Sequence, residues 1–536
     1  MSSDKTTTIS YTAGNKPANE LIDSTEKIEF FVSWGWWVFP ALLTLILSFV
    51  FTDPFAGDWD AVDYTVLAIH GQPSSMFMGR MLFMFSNHAL WLIAHNFFGL
   101  PVDKAYLVFK YGVAVQSPFV IICCWLLARD ITGSLRTSTL AALLITLSPT
   151  FVLYSGQAMT EIPGLLLLVA GLVVHLRGLR RRKTWLILTG AAMLGLNVNI
   201  REALGIYGLW LIIAPYFCGW RDWHLTRRDV LITAAACLVF MICALAPFAL
   251  WFALNIDNYR AVWYVWLNSV RMEGSRHPVR LSYLFPLLYY FFTAAPITLL
   301  IFPFAAYREY KTSKLSLLLV FGLFGFVANM SFFFMYSTAI SGRYLLTGLP
   351  VMAPLIANHV LRAGTCLTGS INRAFTVATI SIVIFMMLVG REFYRYATPV
   401  MYGHVHTRDY YAQRLALLPR NALIMAAGQT VSINYYRGLG MGEWDTIGTG
   451  GGWPGSEEKV MEIINRALRD GRRVFIDTDQ RWWATRGWKV EETEAIVDLE
   501  NHYRFRRTTP SVYEIRPLDD ASANDHPNLK ILLEEQ

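Results

Sequence analysis

Apolar runs of about the length of a membrane-spanning helix recur between residues 30 and 390 and then stop. An α-helix needs about 20 mainly apolar residues to cross the ~30 Å hydrocarbon core of a bilayer. The pattern predicts about eleven spans, at 30–51, 105–128, 137–153, 161–177, 184–199, 203–218, 230–254, 284–305, 315–336, 344–361 and 374–390. We therefore expect a polytopic α-helical membrane protein.

The segment 81–99 is apolar as well, but polar side chains interrupt it at Asn87, His88, His95 and Asn96. This pattern favours a helix that lies in the membrane interface over one that crosses the bilayer. The distinction matters because one additional crossing here would invert the orientation of every later span.

Composition agrees with the membrane assignment, because charged residues make up only 16% of the chain, against about 25% in soluble proteins. The net charge of +7 comes largely from Lys and Arg in alternate short loops, at 129–136, 177–183, 221–228, 308–314 and 362–373. Such loops face the cytoplasm in membrane proteins. Orientation therefore explains the positive charge, and no nucleic-acid partner is predicted.

This orientation divides the chain into three regions. Residues 1–29 form a cytoplasmic N-terminal tail, and residues 30–395 form the transmembrane domain. The loops 52–104 and 255–283 are then outside the cytoplasm, together with a C-terminal domain at 396–536. We expect a multi-pass protein of the inner (plasma) membrane of a bacterium, in contact with membrane lipids.

The C-terminal domain is predicted to be α/β. Ala422–Ala427, Arg472–Asp477 and Ser511–Ile515 have the apolar, β-branched character of strands. Glu457–Arg469 has helical periodicity. The glycine-rich stretch Gly448–Gly452 lacks the pattern of a phosphate-binding loop and is interpreted as a flexible turn.

Ionisable residues are rare in the spans, and those that occur lie near the helix ends on the outer side. Because a charge deep in the bilayer costs roughly 2.5–3.5 kcal/mol or more, such residues normally face a cavity or a partner. The residues concerned are Asp58, Asp60, Asp63, Glu161, Arg201, Glu202 and Arg343. Their shared side of the membrane predicts one polar cavity at the outer leaflet.

Arginine and carboxylate together suit a substrate with a lipid-phosphate leaving group. The guanidinium binds phosphate through two parallel hydrogen bonds, and a partly desolvated carboxylate can act as a general base. Other interpretations remain for each residue. The aspartates could cap a helix, Glu161 could complement a helix dipole, Arg201 and Glu202 could pair with each other, and Arg343 could anchor at the interface.

The outer loop 255–283 carries Trp263, Tyr264 and Trp266, followed by Arg271 and His277. Aromatic residues at this level usually form a belt at the lipid headgroups. The competing hypothesis is a mobile loop over the cavity.

The sequence resembles the GT-C superfamily of polytopic glycosyltransferases, in the branch of the protein O-mannosyltransferases and the lipid A aminoarabinose transferases. Four short stretches carry the resemblance, in the order and spacing of the family. They are Gly57-Asp58-Trp59-Asp60 through Tyr64, Leu147-Ser148-Pro149 through Pro163, Arg201-Glu202, and Arg343-Tyr344-Leu345-Leu346 with Pro350. The resemblance implies the GT-C fold and a polyprenyl-phosphate sugar donor.

The family's base lies in a pattern like D-E-x-x-Y, which places the first acid on Asp60 when counted back from Tyr64. The second acid falls on Ala61, a departure from the pattern, and Asp58 is the neighbouring candidate. The resemblance further assigns Arg343, with Tyr344 beside it, to the donor phosphate.

The remaining residues receive supporting roles from the same resemblance. Arg201 is a second phosphate contact, and Glu161 and Glu202 assist the acceptor or a metal. A divalent cation, Mg²⁺ or Mn²⁺, would be held by Asp58, Asp60 and Glu161.

The predicted function is therefore transfer of a sugar, at the outer face of the membrane and with inversion, to a protein, lipid or glycan acceptor. Two alternatives remain. A transporter or lipid flippase would place its ionisable residues near the midplane and show paired halves. A receptor or scaffold would depend on residues 400–536 and not on Asp60.

Overall fold

The computed structural model describes residues 34–56, 59–74, 80–217, 226–255, 296–335, 342–427, 430–448, 453–478, 490–520 and 527–534. The described chain is helical as far as residue 415 and has α/β structure from residue 423. The predicted N-terminal tail, Asp58 and most of the loop 255–283 lie outside the described residues.

The helical part runs through fifteen described α-helices. They are α1 (Trp34–Val50), α2 (Trp59–Ile69), α3 (Met81–Phe98), α4 (Ala105–Thr132), α5 (Leu135–Thr146), α6 (Pro149–Ser155), α7 (Glu161–Arg181), α8 (Thr184–Asn197), α9 (Gly208–Phe217), α10 (Arg227–Leu254), α11 (Pro296–Ser313), α12 (Leu317–Met335), α13 (Gly342–Leu345), α14 (Leu349–Thr368) and α15 (Ile371–Leu415). Short 3₁₀ helices occur at Val102–Lys104 and Glu202–Tyr207.

Among the described residues, four helices are long and apolar enough to cross a membrane, within Val102–Thr132, Glu161–Arg181, Arg227–Leu254 and Ile371–Arg395. The bent pair α5 and α6 would make a fifth. The predicted spans at 30–51, 184–199, 203–218 and 315–336 overlap the shorter apolar segments Gly35–Val50, Thr184–Asn197, Glu202–Phe217 and Leu317–Met330, the last of which lies within α12. The polytopic membrane fold is confirmed, whereas the count of about eleven spans is not.

The predicted single span at 137–153 is two helices that meet at an angle of 67°. Pro149 causes the break, because proline disfavours the helical conformation of the residue before it. Ser148 is accordingly extended, at φ −61° and ψ 120°, and its hydroxyl accepts a hydrogen bond from Phe151 N at 3.3 Å. The short helix α6 therefore begins as a separate helix at Pro149, with Ser148 as its N-cap.

The segment 81–99 is a helix, as predicted, and it is not among the helices apolar enough to cross the bilayer. Its backbone is tied to the turn after α8 by a hydrogen bond from Leu82 N to Asn199 O at 3.1 Å. This contact holds the start of α3 close to Arg201 and Glu202.

Glycines allow the central helices to approach each other closely, as is usual between membrane helices. A Cβ on Gly190 would lie 2.6 Å from the Cβ of His175, and one on Gly195 would lie 2.9 Å from the Cβ of Cys243. These contacts join α8 to α7 and α10. The helix ends that carry Glu161 and Arg201 are thereby set on a rigid scaffold.

The α/β part is built on a five-stranded sheet in the order β2-β1-β3-β5-β4. The strands are β1 (Leu423–Ala426), β2 (Asp445–Ile447), β3 (Val474–Asp477), β4 (Tyr503–Arg507) and β5 (Val512–Pro517). The first three are parallel, and β5 pairs antiparallel with both β3 and β4. Helices α16 (Thr430–Gly438), α17 (Glu457–Arg469), α18 (Val490–His502) and α19 (Leu529–Glu534) complete it.

The three predicted strands and the predicted helix are present here, and the helix has the predicted bounds. The sequence pattern does not predict strands β2 and β4 or helices α16, α18 and α19. The hydrophobic pattern of these short segments is too weak to indicate a secondary structure without the neighbours that cover them.

Candidate active site

Asp60 and Arg343 form an ion pair although 283 positions separate them in the sequence. Arg343 Nη1 lies 3.1 Å from Asp60 Oδ2. Asp60 occupies the first turn of α2, and Arg343 lies on the single turn α13. The pair joins the candidate base to the candidate phosphate ligand.

Glu161 and Arg201 form a second ion pair directly beside the first. Arg201 Nη1 lies 3.2 Å from Glu161 Oε1, and the same oxygen lies 3.8 Å from Arg343 Nε. Both Glu161 and Arg201 are buried, with side chains 3% and 4% exposed. Asp60, Arg343, Glu161 and Arg201 therefore make one continuous chain of charges.

Local structure explains the position of Glu161. It is the first residue of α7, where the helix dipole favours a negative charge. Pro163 follows in the first turn, where proline costs no backbone hydrogen bond. The interpretation of Glu161 as a first-turn acid is thus compatible with a place in the site.

The turn after α13 is held by buried hydrogen bonds that fix the position of Arg343. Asn329 Oδ1 accepts from Gly348 N at 2.9 Å and from the Thr347 hydroxyl at 3.2 Å. The Tyr207 hydroxyl donates to Thr347 O at 2.6 Å. Two separate elements, α12 and the 3₁₀ helix Glu202–Tyr207, therefore hold the turn that follows Arg343.

Tyr344 lies between the two arginines of the site. The guanidinium carbon of Arg201 is 5.0 Å from the centre of the Tyr344 ring, and that of Arg343 is 5.2 Å away. Each distance is within the range of a cation–π contact. The ring therefore keeps two positive charges close together, which favours an anionic ligand.

Arg80 is a residue of the candidate site that the sequence analysis does not indicate. It forms two contacts with Glu202, with Nε and Nη2 each 3.4 Å from a carboxylate oxygen, and its guanidinium lies 5.1 Å from the centre of the Tyr64 ring. Its φ of 46° is unusual for a residue other than glycine. The sequence does not single out Arg80 because it lies in the long loop 52–104, where a charged side chain is not unusual.

The observed ion pairs exclude one alternative for Arg201 and Glu202. They do not pair with each other, because Arg201 pairs with Glu161 and Glu202 pairs with Arg80. Burial by itself lowers the pKa of Arg80, but Glu202 and Asp60 together raise it. The guanidinium therefore stays positive in the site.

Asp63 follows Asp60 by one helical turn on α2. Its side chain keeps contact with solvent, yet enough protein surrounds it that burial raises the pKa of its carboxyl to about 6. The Asp60 carboxylate adds to this rise, and Arg80 opposes it. Asp63 is exposed, so solvent reaches α2 one turn after Asp60.

Several buried polar atoms here have no hydrogen-bond partner within the described part of the chain. They are Glu161 Oε2, Arg201 Nη2 and the Tyr64 hydroxyl. Buried polar groups are normally satisfied, so a cluster of exceptions requires an explanation. A polar ligand that enters the site would supply the missing partners.

A metal at Asp58, Asp60 and Glu161 finds little support in the described geometry. Asp60 and Glu161 both contact Arg343, whose positive charge would repel a cation bound between them. Across the described residues, the one group of three His, Cys or acidic side chains close enough to share an ion is Glu457, Asp498 and His502, in the α/β part.

Comparison with known proteins supports the predicted resemblance. Residues 89–251 match the family described as dolichyl-phosphate-mannose-protein mannosyltransferase. No curated protein matches the sequence.

Solved structures resemble nearly the whole chain. ArnT from Cupriavidus metallidurans, bound to undecaprenyl phosphate and in the apo state, is 13% identical, with a TM-score of 0.55 over 92% of this chain and 100% of ArnT. The Archaeoglobus fulgidus oligosaccharyltransferase, in complex with Zn and sulfate, is 12% identical, with a TM-score of 0.52 over 90% of this chain and 74% of its own.

These proteins are GT-C glycosyltransferases, so the resemblance to that superfamily is confirmed. At such low identity the likeness shows the fold. The chain is thus an integral membrane protein with a GT-C-like fold, and the roles of its site residues rest on their own geometry.

Proposed function

We propose that the protein is a glycosyltransferase that moves a sugar from a polyprenyl-phosphate donor to an acceptor hydroxyl at the outer face of the membrane. The observation that carries this proposal is the chain of charges in which Arg343 contacts both Asp60 and Glu161. Asp60, the candidate base, contacts Arg343 directly, and Glu161 links Arg343 to Arg201. The undecaprenyl phosphate bound to ArnT supports this class of donor.

In the proposed reaction, the acceptor oxygen attacks the anomeric carbon of the donor sugar while the bond from that carbon to the phosphate oxygen breaks. Asp60 takes the proton of the acceptor hydroxyl, and the electron pair of the broken bond stays on the lipid phosphate. One displacement of this kind inverts the configuration of the sugar. The products are the glycosylated acceptor, the lipid phosphate and a protonated Asp60, which then returns its proton to water.

Arg343 and Arg201 serve to stabilise the negative charge that grows on the departing phosphate. Preorganised cations are effective in this role because they need no rearrangement as the charge develops. The unpartnered Arg201 Nη2 provides one free donor for a phosphate oxygen. We assign Glu161 to orienting both arginines, and Glu202 to holding Arg80 at the wall of the site.

Phosphate binding also frees the base in this proposal. In the structure, Arg343 holds the Asp60 carboxylate at 3.1 Å. A phosphate that binds Arg343 competes with Asp60 for the guanidinium, so the carboxylate becomes available to the acceptor. Donor binding would thus precede activation of the acceptor.

No step of the proposed reaction passes through a metal. A divalent cation is compatible with the fold, since the archaeal oligosaccharyltransferase was crystallised with Zn. In this chain, however, the arginine contacts of Asp60 and Glu161 supply the positive charge that a cation would otherwise provide.

The test compares two ion pairs of the same chemistry. Asp60→Asn and Arg343→Ala remove the pair at the site, whereas Asp130→Asn and Arg177→Ala remove the Asp130–Arg177 pair, whose atoms lie 2.7 Å apart at the opposite end of α7. The measurement is transfer of radiolabelled sugar from a polyprenyl-phosphate donor in proteoliposomes. We expect kcat to fall by about 10²–10⁴-fold for Asp60→Asn and about 10²–10³-fold for Arg343→Ala.

The two control variants should transfer sugar at the wild-type rate. Equal losses in both pairs would show that the site variants act through folding. Full activity of Asp60→Asn would exclude Asp60 as the base. Movement of an unchanged substrate across the membrane, without transfer, would instead identify a transporter.

A further inference from the structure

Helix α2, which carries Asp60 and Asp63, is covered by helix α16 of the α/β part. It also packs against α3 and α4. With 11 residues, α2 is shorter than the roughly 12–15 residues at which isolated helices become even marginally stable in water. Its position therefore depends on the elements that pack around it, and α16 is the one that comes from the α/β part.

The closest approach is between Gly438, the last residue of α16, and Val66 on α2. A Cβ at Gly438 would lie 2.7 Å from Val66 Cγ2, well inside van der Waals contact. The φ of Gly438 is not in the left-handed region, so backbone conformation does not require glycine here. The lack of room for a side chain is the physical reason for glycine at this position.

Hydrogen bonds and ring contacts hold the two parts together around Gly438. His70 Nε2, just past the end of α2, donates to Gly438 O at 2.6 Å. The Tyr435 hydroxyl donates to Asp103 O at 3.0 Å, and its ring meets Phe55 edge-on at 5.2 Å. The contact thus clamps α2 together with the chain segments on both sides of it.

Val66 lies on the same helix as the carboxylates Asp60 and Asp63. Asp63 precedes it by three residues and therefore lies one turn away on a neighbouring face of the helix. Asp60 lies one further turn toward the start of α2. A push on Val66 would displace the helix as a unit, and with it the 3.1 Å contact between Asp60 and Arg343.

We propose that the α/β part positions the candidate base, and that Gly438 is a positioning residue for the transfer reaction. This inference rests on the proposed function for its catalytic consequence, but the mechanical coupling of α16 to α2 does not depend on it. A misplacement of about 1 Å can cost about 10²-fold in rate, so a contact of this kind is large enough to matter.

The experiment is a compensation cycle with Gly438→Ala, Val66→Ala and the double variant. Gly438→Ala should push α2 and lower kcat by at least about tenfold, with the KM for the donor nearly unchanged because the arginines do not move. Removing the two Val66 methyl groups makes room for the new Cβ, so the double variant should regain most of the lost kcat. Arg437→Ala is the control, since Arg437 lies on the same helix but pairs with Asp445 within the α/β part.

Hydrogen–deuterium exchange of the peptide that covers residues 60–70 provides a readout without activity. Exchange should be faster in Gly438→Ala and return toward the wild-type rate in the double variant. Wild-type exchange in Gly438→Ala would overturn the coupling. Faster exchange with an unchanged kcat would overturn the positioning role.

The same measurements separate this inference from the proposed function. If the wild type transfers no sugar while the exchange cycle behaves as expected, the proposed function fails and the coupling stands. If Gly438→Ala loses activity and the double variant does not recover it, the contact with Val66 is not the cause and the inference is wrong.

Discussion

In the helical part, the buried Glu161 places one oxygen near both Arg201 and Arg343, and its other oxygen has no hydrogen-bond partner among the described residues. In the α/β part, both oxygens of the buried Asp477 accept hydrogen bonds. The Tyr411 hydroxyl donates to one at 2.5 Å and the Tyr410 hydroxyl to the other at 3.1 Å.

Glu514 in the α/β part repeats the second pattern. Arg473 donates to one of its oxygens and Arg516 to the other. Burial alone would raise the pKa of Glu514, but the two arginines together hold it below its usual value. The negative charge of Glu514 is therefore compensated by the two arginines.

This contrast distinguishes buried charges that stabilise the fold from buried charges that are available to a ligand. A fully satisfied polar network rigidifies its surroundings, and Asp477 joins the end of α15 to β3 in this way. A network with unused donors and acceptors can still form hydrogen bonds with another molecule. By this criterion we propose the chain of charges around Arg343 as the binding site.

The largest expected effect is on stability, from Glu161→Ala. Removing one partner of a buried ion pair costs about 3–5 kcal/mol, because the other charge stays buried without compensation. Arg201, with a side chain only 4% exposed, would be left in this state. The measurement is unfolding in mixed micelles. A loss as small as the ~0–1 kcal/mol typical of exposed pairs would mean that water reaches Arg201 freely.

The next effect is the response to ligand. A ligand that binds only the folded protein stabilises it by about 2.7 kcal/mol at 100 times its Kd. Undecaprenyl phosphate should therefore raise the melting temperature of the wild type, and Arg343→Ala should abolish the rise. Arg473→Ala, which removes an arginine from a satisfied pair, should keep it. Equal responses in both variants would contradict the distinction between the two regions.

A smaller effect is expected from Asp477→Asn. The amide nitrogen cannot accept a hydrogen bond, so one buried tyrosine hydroxyl loses its partner at a cost of about 1–3 kcal/mol. Stability should fall while the stabilisation by undecaprenyl phosphate remains. Tyr410→Phe is the matched control, since it removes the weaker donor to Asp477 and its contact with the Ser511 hydroxyl at 2.9 Å but keeps the carboxylate and its bond from Tyr411. Loss of lipid-phosphate binding in Asp477→Asn would place Asp477 in the site.

The smallest effect concerns the pH dependence contributed by Asp63. Its folded-state pKa of about 6 exceeds the ordinary value of 3.8, so the folded state binds the proton more tightly than the unfolded state. The associated stability is present at low pH and is lost as the pH rises from about 4 to 6. Across this window the melting temperature of the wild type should fall relative to that of Asp63→Asn. Parallel curves for the two proteins would show that Asp63 is not desolvated.

The membrane fold and the main site residues followed from the sequence because their signals are local. A run of apolar residues shows that a segment prefers lipid whatever its neighbours are. A charge at the end of such a run is conspicuous for the same reason, which is how Asp60, Glu161, Arg201 and Arg343 were selected. The helix Glu457–Arg469 has an apolar stripe that needs no further context.

Other features could not be predicted, since they depend on which segments meet. Arg80 lies in a long polar loop, and only its contacts with Glu202 and Tyr64 mark it as part of the site. The apolar run 137–153 predicts one continuous span, whereas the chain bends at Pro149. The packing of Gly438 on Val66 joins residues 372 positions apart, and no local pattern indicates it.

The apolar pattern of the chain shows that it enters a membrane and which of its charges are exceptional there, and it predicts that these charges share one side of the bilayer. The tertiary structure decided the partners: Asp60 with Arg343, Glu161 with Arg201, and Glu202 with Arg80. The physical reason is that hydrophobicity belongs to a segment and can be summed along the chain. An ion pair belongs to two side chains a few ångströms apart, and only the folded chain brings them to that distance.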